Sequence, residues 1–264
     1  MRDNPMSAGP PPRLLVVTGG KGGVGVTTIA VNLSVALAEQ GLRVVIVDAN
    51  LHRSDVAALC GLTNQHNIAD VLAAKHSIHE VLQRGPAGIQ IVPGLTAPRR
   101  LQDTSEVALA RLQRQLAALG RHADIVILDL GSSEGELVRR FCDAADEVLL
   151  VTTTDNVAIM DSYAWIKANL TDRSSSLLRL IVNQATDDRQ VEEIACRVAQ
   201  SCNKFLPTTI DTSHGVLRDE AVMAAATAAV PFVLAAPRGV AARAIQQLAA
   251  CAAREASMAT RQAA

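Results

Sequence analysis

The sequence has 264 residues, 49% of them apolar, and a formal net charge of −1. That length supports a large core, and the near-zero charge gives no whole-chain electrostatic case for nucleic acid. With three Phe, one Tyr and one Trp, the core must come from Val, Leu, Ile and Ala, the residues of buried parallel strands and the helices that cover them.

Residues 1–12 form a Pro/Gly-containing lead without the apolar stretch of a secretory signal. Arg13 to Thr18 (RLLVVT) reads as a buried strand, and Thr27 to Gln40 as a helix stopped at Gly41. Arg43 to Val47 is a second strand. Asn67 to Ala74 and Ser77 to Gln83 read as short helices, and Ile89 to Val92 as a strand before Pro93. A helix is expected over Thr104 to Leu119, then a strand over Ile125 to Leu128 that ends at Asp129. Glu147 to Val151 is a strand, Asn156 to Leu170 a helix, and Leu177 to Val182 a strand ending at Asn183. Arg189 to Cys202 reads as a helix and Phe205 to Ile210 as a weaker strand. Two further helices are expected over His214 to Ala226 and Val240 to Arg254.

This alternation predicts an α/β fold, a doubly wound and mostly parallel sheet with helices on both faces. One domain is expected over 13–254, with a flexible tail over 255–264. The five cysteines are scattered and form no C-x-x-C pair, which reads as reduced thiols. No run of about 18 apolar residues is present, so no span of a membrane is expected.

Ligands of such sheets bind at the carboxyl ends of the strands. After the first strand stands GGKGGVGVTT, Gly19 to Thr28, with the spacing G-x-x-x-x-G-K-[ST] of a phosphate-binding loop. The lysine slot holds Val26. Gly20, Gly22, Gly23 and Gly25, with Val24 and Val26 between and after them, let backbone N–H groups converge on an anion. The helix that follows adds its positive end, so the cradle itself needs no lysine. Thr27 stands where a hydroxyl coordinates Mg²⁺, and Thr28 where one donates to an α-phosphate. Asp129 ends a buried strand, placed to hold the metal through water.

These residues resemble the deviant phosphate loop of the MinD/ParA family of P-loop ATPases, whose mark is an early lysine, here Lys21. VIVDANLHRSDV resembles the first switch of that family, often D-x-D, and ILDLGSS its second. NIADVL, GIQIVPG, AADEVLLVTTTDNVAIMDSYAWIK and LIVNQA resemble its flagellar-number regulator branch (FlhG, FleN or YlxH). The resemblance spans Leu14 to Leu248. It implies a cytoplasmic, ATP- and Mg²⁺-dependent sandwich homodimer that acts with flagellar assembly proteins. In that dimer Lys21 reaches the partner's nucleotide, Asp48 lies in the switch near metal and water, Asp129 is the metal-side acid, and Asn183 contacts adenine. Asp211 matches the loop near the base.

Two positions depart from the pattern. Val26 replaces the lysine that contacts the β- and γ-phosphates, and Asn50 replaces the second switch aspartate. Asn hydrogen-bonds water but does not accept a proton as a carboxylate does. The expectation is an ATP-binding regulator of flagellar number or placement with weakened or lost hydrolysis. The alternatives are an active ATPase using Lys21, a nucleotide-independent scaffold, and a DNA-partitioning protein with Arg99-Arg100 and Arg139-Arg140 as basic patches. The tail AIQQLAACAAREASMATRQAA has one large apolar residue after Leu248, Met258, so membrane association is expected to be weak at most.

Overall fold

A computed structural model of the chain describes residues 11–50, 53–63, 66–95, 106–119, 122–170, 176–206 and 209–263. In chain order the first elements are β1 (Arg13–Gly19), α1 (Val26–Glu39), β2 (Val44–Asp48), α2 (Val56–Leu59), α3 (Ile68–Leu72) and α4 (Ile78–Val81). A short hairpin follows, β3 (Gln83–Arg84) and β4 (Gln90–Val92). Next come α5 (Glu106–Ala118), β5 (Ile125–Gly131), α6 (Glu136–Ala144), β6 (Glu147–Thr152) and α7 (Asn156–Asn169). The chain continues through β7 (Leu177–Ala185), α8 (Asp188–Phe205), β8 (Thr212–Leu217), α9 (Glu220–Thr227), α10 (Phe232–Ala235) and α11 (Val240–Ala263).

The strands form one sheet in the order β3-β4-β2-β5-β1-β6-β7-β8. Only the β3–β4 pairing is antiparallel among the described strands. Successive side chains of a strand point to opposite faces, and here both faces are buried. Leu15 and Val17 of β1 therefore enter the core under α1, α10 and α11, while Val16 enters the opposite core with Leu112, Phe141 and Trp165. The same alternation in β2 and β5 explains why these strands read as unbroken apolar runs.

The ends of the elements follow from local chemistry. Gly41 N–H donates to Ala38 O at 2.9 Å and Leu42 N–H to Leu37 O at 3.3 Å, the paired bonds that close a helix at a glycine. Asn67 and Asp70 form a capping box at the start of α3, as Ser77 and Glu80 do at α4. At the amino ends of the strands, Glu147 sits fully buried between Arg13 (3.0 Å) and Arg179. Glu255 of α11 pairs with the same two arginines at 2.6 and 3.2 Å, which ties the last helix under the sheet.

Three expectations are corrected. Phe205 closes α8 instead of opening a strand, and the last strand begins later, at Thr212. Residues 207 and 208 of the expected strand lie outside the described residues. His214 to Leu217, expected in a helix, belongs to β8. As an edge strand β8 pairs on one side only and leaves Thr212 and Ser213 exposed, so TSHGVL carries no apolar run. The last helix, expected to stop at Arg254, continues through the tail to Ala263. Among the described residues, no helix is long and apolar enough to cross a membrane. Arg99 and Arg100 lie outside the described residues. Arg140 bonds Glu136 and Glu106, both at 3.0 Å, and Arg139 lies 3.8 Å from Glu136, so that pair is largely neutralised.

Candidate functional site

The parallel order brings the carboxyl ends of β1, β2, β5, β6 and β7 to one edge, and the loop 19–28 lies across it. Gly25 precedes α1 at φ 97°, in the left-handed region that glycine enters without penalty. No side chain caps the helix and its first turn holds no acid, so its leading N–H groups face the loop cavity unspent. Gly20 lies against α7, where a Cβ would come within 2.4 Å of the Asp161 carbonyl. The loop is thus pinned by backbone contact that a larger residue would disrupt.

Asn183 holds the other side. Its Nδ2 donates to Val24 O at 2.8 Å, and its Oδ1 accepts Gln184 N–H at 3.0 Å. The resemblance implies an adenine contact for this residue; in the structure its amide clamps the loop. Asp211 is corrected. It accepts Leu178 N–H at 2.6 Å, next to the amino end of β7, whereas Asn183 lies near the carboxyl end. The misplaced last strand is the reason: Asp211 precedes β8 instead of following it, and the sheet separates it from the loop.

A cleft of about 600 Å³ runs along the loop, with Gly22, Gly23, Gly25, Val26, Thr27 and Thr28 on its floor. Asn50, Arg53, Gly131 and Ser132 wall one side of it. Val26 is 6% exposed, its side chain sunk in the core beneath α1, so it offers the cleft a backbone N–H and no charge. Asn50 lies against Gly131, where a Cβ would sit 2.2 Å from its Nδ2. Its Oδ1 accepts Arg53 N–H at 3.3 Å. The Arg53 side chain is 82% exposed and pairs with Asp55 at 2.7 Å at the rim of the cleft.

Asp48 and Asp129 lie side by side at the ends of β2 and β5, both fully buried. Asp48 accepts the N–H groups of Asn50 and Val56, each at 3.2 Å, and so staples both ends of the switch segment. Burial, then the charge of Asp129, raises its carboxyl well above the ordinary range. Burial pushes Asp129 up to about 6, while the neighbouring Thr27 hydroxyl and Gly131 N–H pull it down. Asp129 Oδ1 accepts that N–H at 3.0 Å, and its buried Oδ2 has no partner among the described residues. An unpaired buried carboxylate oxygen beside a threonine hydroxyl suits a hard, oxygen-seeking divalent cation. Thr27 and Asp129 therefore fit Mg²⁺.

Lys21 turns toward Asp155, Nζ to Oδ1 at 3.3 Å. Asp155 caps α7 by accepting Ala158 N–H at 2.9 Å, and it also accepts the Thr153 hydroxyl at 2.5 Å. Those two bonds, Thr153 first, together with Lys21 hold its carboxyl down to about 2. Asp155, just before α7, was not singled out in the sequence, and nothing there marks it as the partner of Lys21. Ser132, Gln184 and Arg218 also line the site and were missed. Arg218 follows β8, so placing that strand correctly would have found it.

A family model described as an AAA domain matches residues 12–169. The antiactivator FleN of Pseudomonas aeruginosa is 32% identical over 212 residues, 80% of this chain and 76% of that protein. The flagellum site-determining protein YlxH of Helicobacter pylori is 29% identical over 191 residues, 72% of this chain and 65% of its relative. Among solved structures, the septum site-determining protein MinD complexed with Mg-ADP from Pyrococcus horikoshii superposes with a TM-score of 0.74. That pair is 21% identical and covers 90% of this chain and 94% of the other. The chain belongs to the MinD/ParA family of P-loop ATPases, in the branch of FleN and YlxH.

Proposed function

We propose that this protein is a cytoplasmic ATP-binding switch that sets flagellar number or placement and splits ATP slowly or not at all. One observation carries the reading. The backbone cradle of loop and α1 is complete, whereas Val26 lies in the core and an amide stands at position 50. The name of YlxH, a flagellum site-determining protein, supports the flagellar assignment, that of the antiactivator FleN supports a regulatory role, and that of the MinD complex supports Mg-nucleotide as ligand.

Phosphoryl transfer depends almost wholly on positioning and charge stabilisation. The loop amides and the N-terminus of α1 bind the phosphates. Thr27 and Asp129 would hold Mg²⁺, which would supply charge neutralisation to the phosphates. Asp48 holds the N–H groups of Asn50 and Val56 beside the site. Asn50 orients water without taking its proton. A charge-assisted hydrogen bond contributes about 1.5–3 kcal/mol, so the absent lysine weakens nucleotide binding by about ten- to a hundred-fold. Loss of both groups costs hydrolysis several orders of magnitude.

A competent ATPase is the second reading, favoured by Lys21 standing at the cavity. Calorimetric titration with ATP and ADP, with and without Mg²⁺, tests the binding half. Micromolar to sub-millimolar affinity that improves with Mg²⁺ is expected. Absence of binding at millimolar nucleotide would leave only a scaffold.

A further inference from the structure

Resting on the nucleotide-binding reading, we propose that Arg53, in the segment after β2, exchanges its contact with Asp55 for the terminal phosphate and so gives the site a preference for ATP over ADP. Arg53 lines the cleft that also holds Val26, Thr27, Asn50 and Gly131. The leading N–H groups of α1 face this cleft, so an anion held by them lies between the loop and the segment that carries Arg53. Thr27 and Asp129, the pair that fits Mg²⁺, stand on the same side of the loop.

The segment is pinned around Arg53. Arg53 N–H donates to Asn50 Oδ1 at 3.3 Å, and the Asn50 amide in turn lies against Gly131. The Ser54 hydroxyl donates to Asn50 O at 3.0 Å, and Val56 N–H to Asp48 at 3.2 Å. The Arg53 backbone is thus held at the rim of the cleft, and only its side chain has to move. Its guanidinium meets Asp55 at 2.7 Å. Asp55 stands at the N-cap of α2, yet its carboxylate caps no N–H group there. After burial, and in Asp48 the charge of Asp129, the charge of Asp55 also raises both strand-end acids, which places the Arg53–Asp55 pair beside the buried centre of the site.

Charge and exposure decide the role. Among the described residues, Lys21 and Arg53 are the cations that line this cleft, and Lys21 is engaged with Asp155. The Arg53 side chain is largely in solvent, where an ion pair contributes little and is readily exchanged. A terminal phosphate carries more charge than one carboxylate, and its oxygens match the planar fork of a guanidinium in two parallel bonds. ADP ends one phosphate short, so with ADP bound Arg53 keeps Asp55. A contact formed with ATP in the ground state strengthens binding without lowering the barrier to its cleavage, in keeping with a switch that holds ATP. The place of Arg53 beside Gly131 depends on β2 and β5 lying next to each other, which is visible only once the sheet is assembled.

Fluorescence titration at fixed Mg²⁺ tests the assignment with ADP and with AMP-PNP, a non-hydrolysable analogue of ATP, on wild type, Arg53→Ala and Arg53→Lys. Arg53→Ala is expected to weaken AMP-PNP about ten-fold and ADP about two-fold at most, with Arg53→Lys in between for AMP-PNP. Unchanged AMP-PNP affinity in Arg53→Ala would overturn the assignment. So would an equal or larger loss for ADP, since a residue that only shapes the segment does not tell two phosphates from three. Matched thermal melts accompany the titrations; should Arg53→Ala melt lower than wild type, Arg53→Gln keeps the stem of the side chain and reads the same ratio of affinities. Failure of the wild type to bind either nucleotide would defeat the nucleotide reading itself, and with it this role. That result is distinct from an unchanged ratio in a protein that binds both.

Discussion

Single side chains divide the site between anchoring and chemistry. Asn183 anchors: its amide bonds Val24 O, and that carbonyl loses its partner in Asn183→Ala. An unsatisfied buried carbonyl costs about 1–3 kcal/mol. We therefore expect a loss of that order in urea melts, together with weaker nucleotide binding from a loosened loop. Asp155 anchors at a different level, through the N-cap of α7 and the contact with Lys21. Its folded value lies near 2 against an ordinary 3.8, so the unfolded chain binds the extra proton between them. Its stabilisation is therefore complete above 3.8 and lost as pH falls toward about 2. Asp155→Ala should cost about 1 kcal/mol near neutrality, as removal of a cap does, with the gap to wild type closing in acid. Thermal melts at pH 7, 4 and 2.5 check the trend, and a gap that widens in acid would contradict it.

Elements explain what sequence reading reached and what it missed. β1, β2, β5 and β6 are buried on both faces, so their apolar runs announced them, and GGKGGVGVTT announced the turn into α1. β8 fills an edge, solvated on one side, and its pattern gave no such signal. One shifted strand then displaced Asp211 into the site and hid Arg218 from it. Pairings across the sheet, such as Asp48 beside Asp129, depend on strand order, which local periodicity does not encode. The loop-to-α1 junction carries its own test. Gly25→Ala places a Cβ 2.4 Å from Asn183 Nδ2 at φ 97°, so both strain and collision oppose it. ATP affinity should fall by about ten-fold or more, read by the same fluorescence titration, because the junction amides lose their convergence.

At the scale of the molecule, the two ends of the sheet do different work. The carboxyl ends carry the cleft, and the amino ends carry the ionic cluster of Arg13, Glu147, Arg179 and Glu255 that fastens α11. Arg179→Met removes one of two cations from a buried carboxylate and should destabilise the fold by about 2–4 kcal/mol without altering nucleotide affinity. Chemical denaturation and titration read the two effects separately. The dimer implied by the family is expected to form with Mg-ATP and to dissociate with Mg-ADP, as light scattering would show. A protein that binds ATP but splits it poorly should hold that dimer for a long time. Rapid-quench analysis with protein in excess over Mg-ATP tests this most directly, on wild type and on the Val26→Lys/Asn50→Asp double variant. The expected result is ATP retained intact by the wild type for minutes and converted to ADP orders of magnitude faster by the double variant. Prompt conversion by the wild type would contradict it.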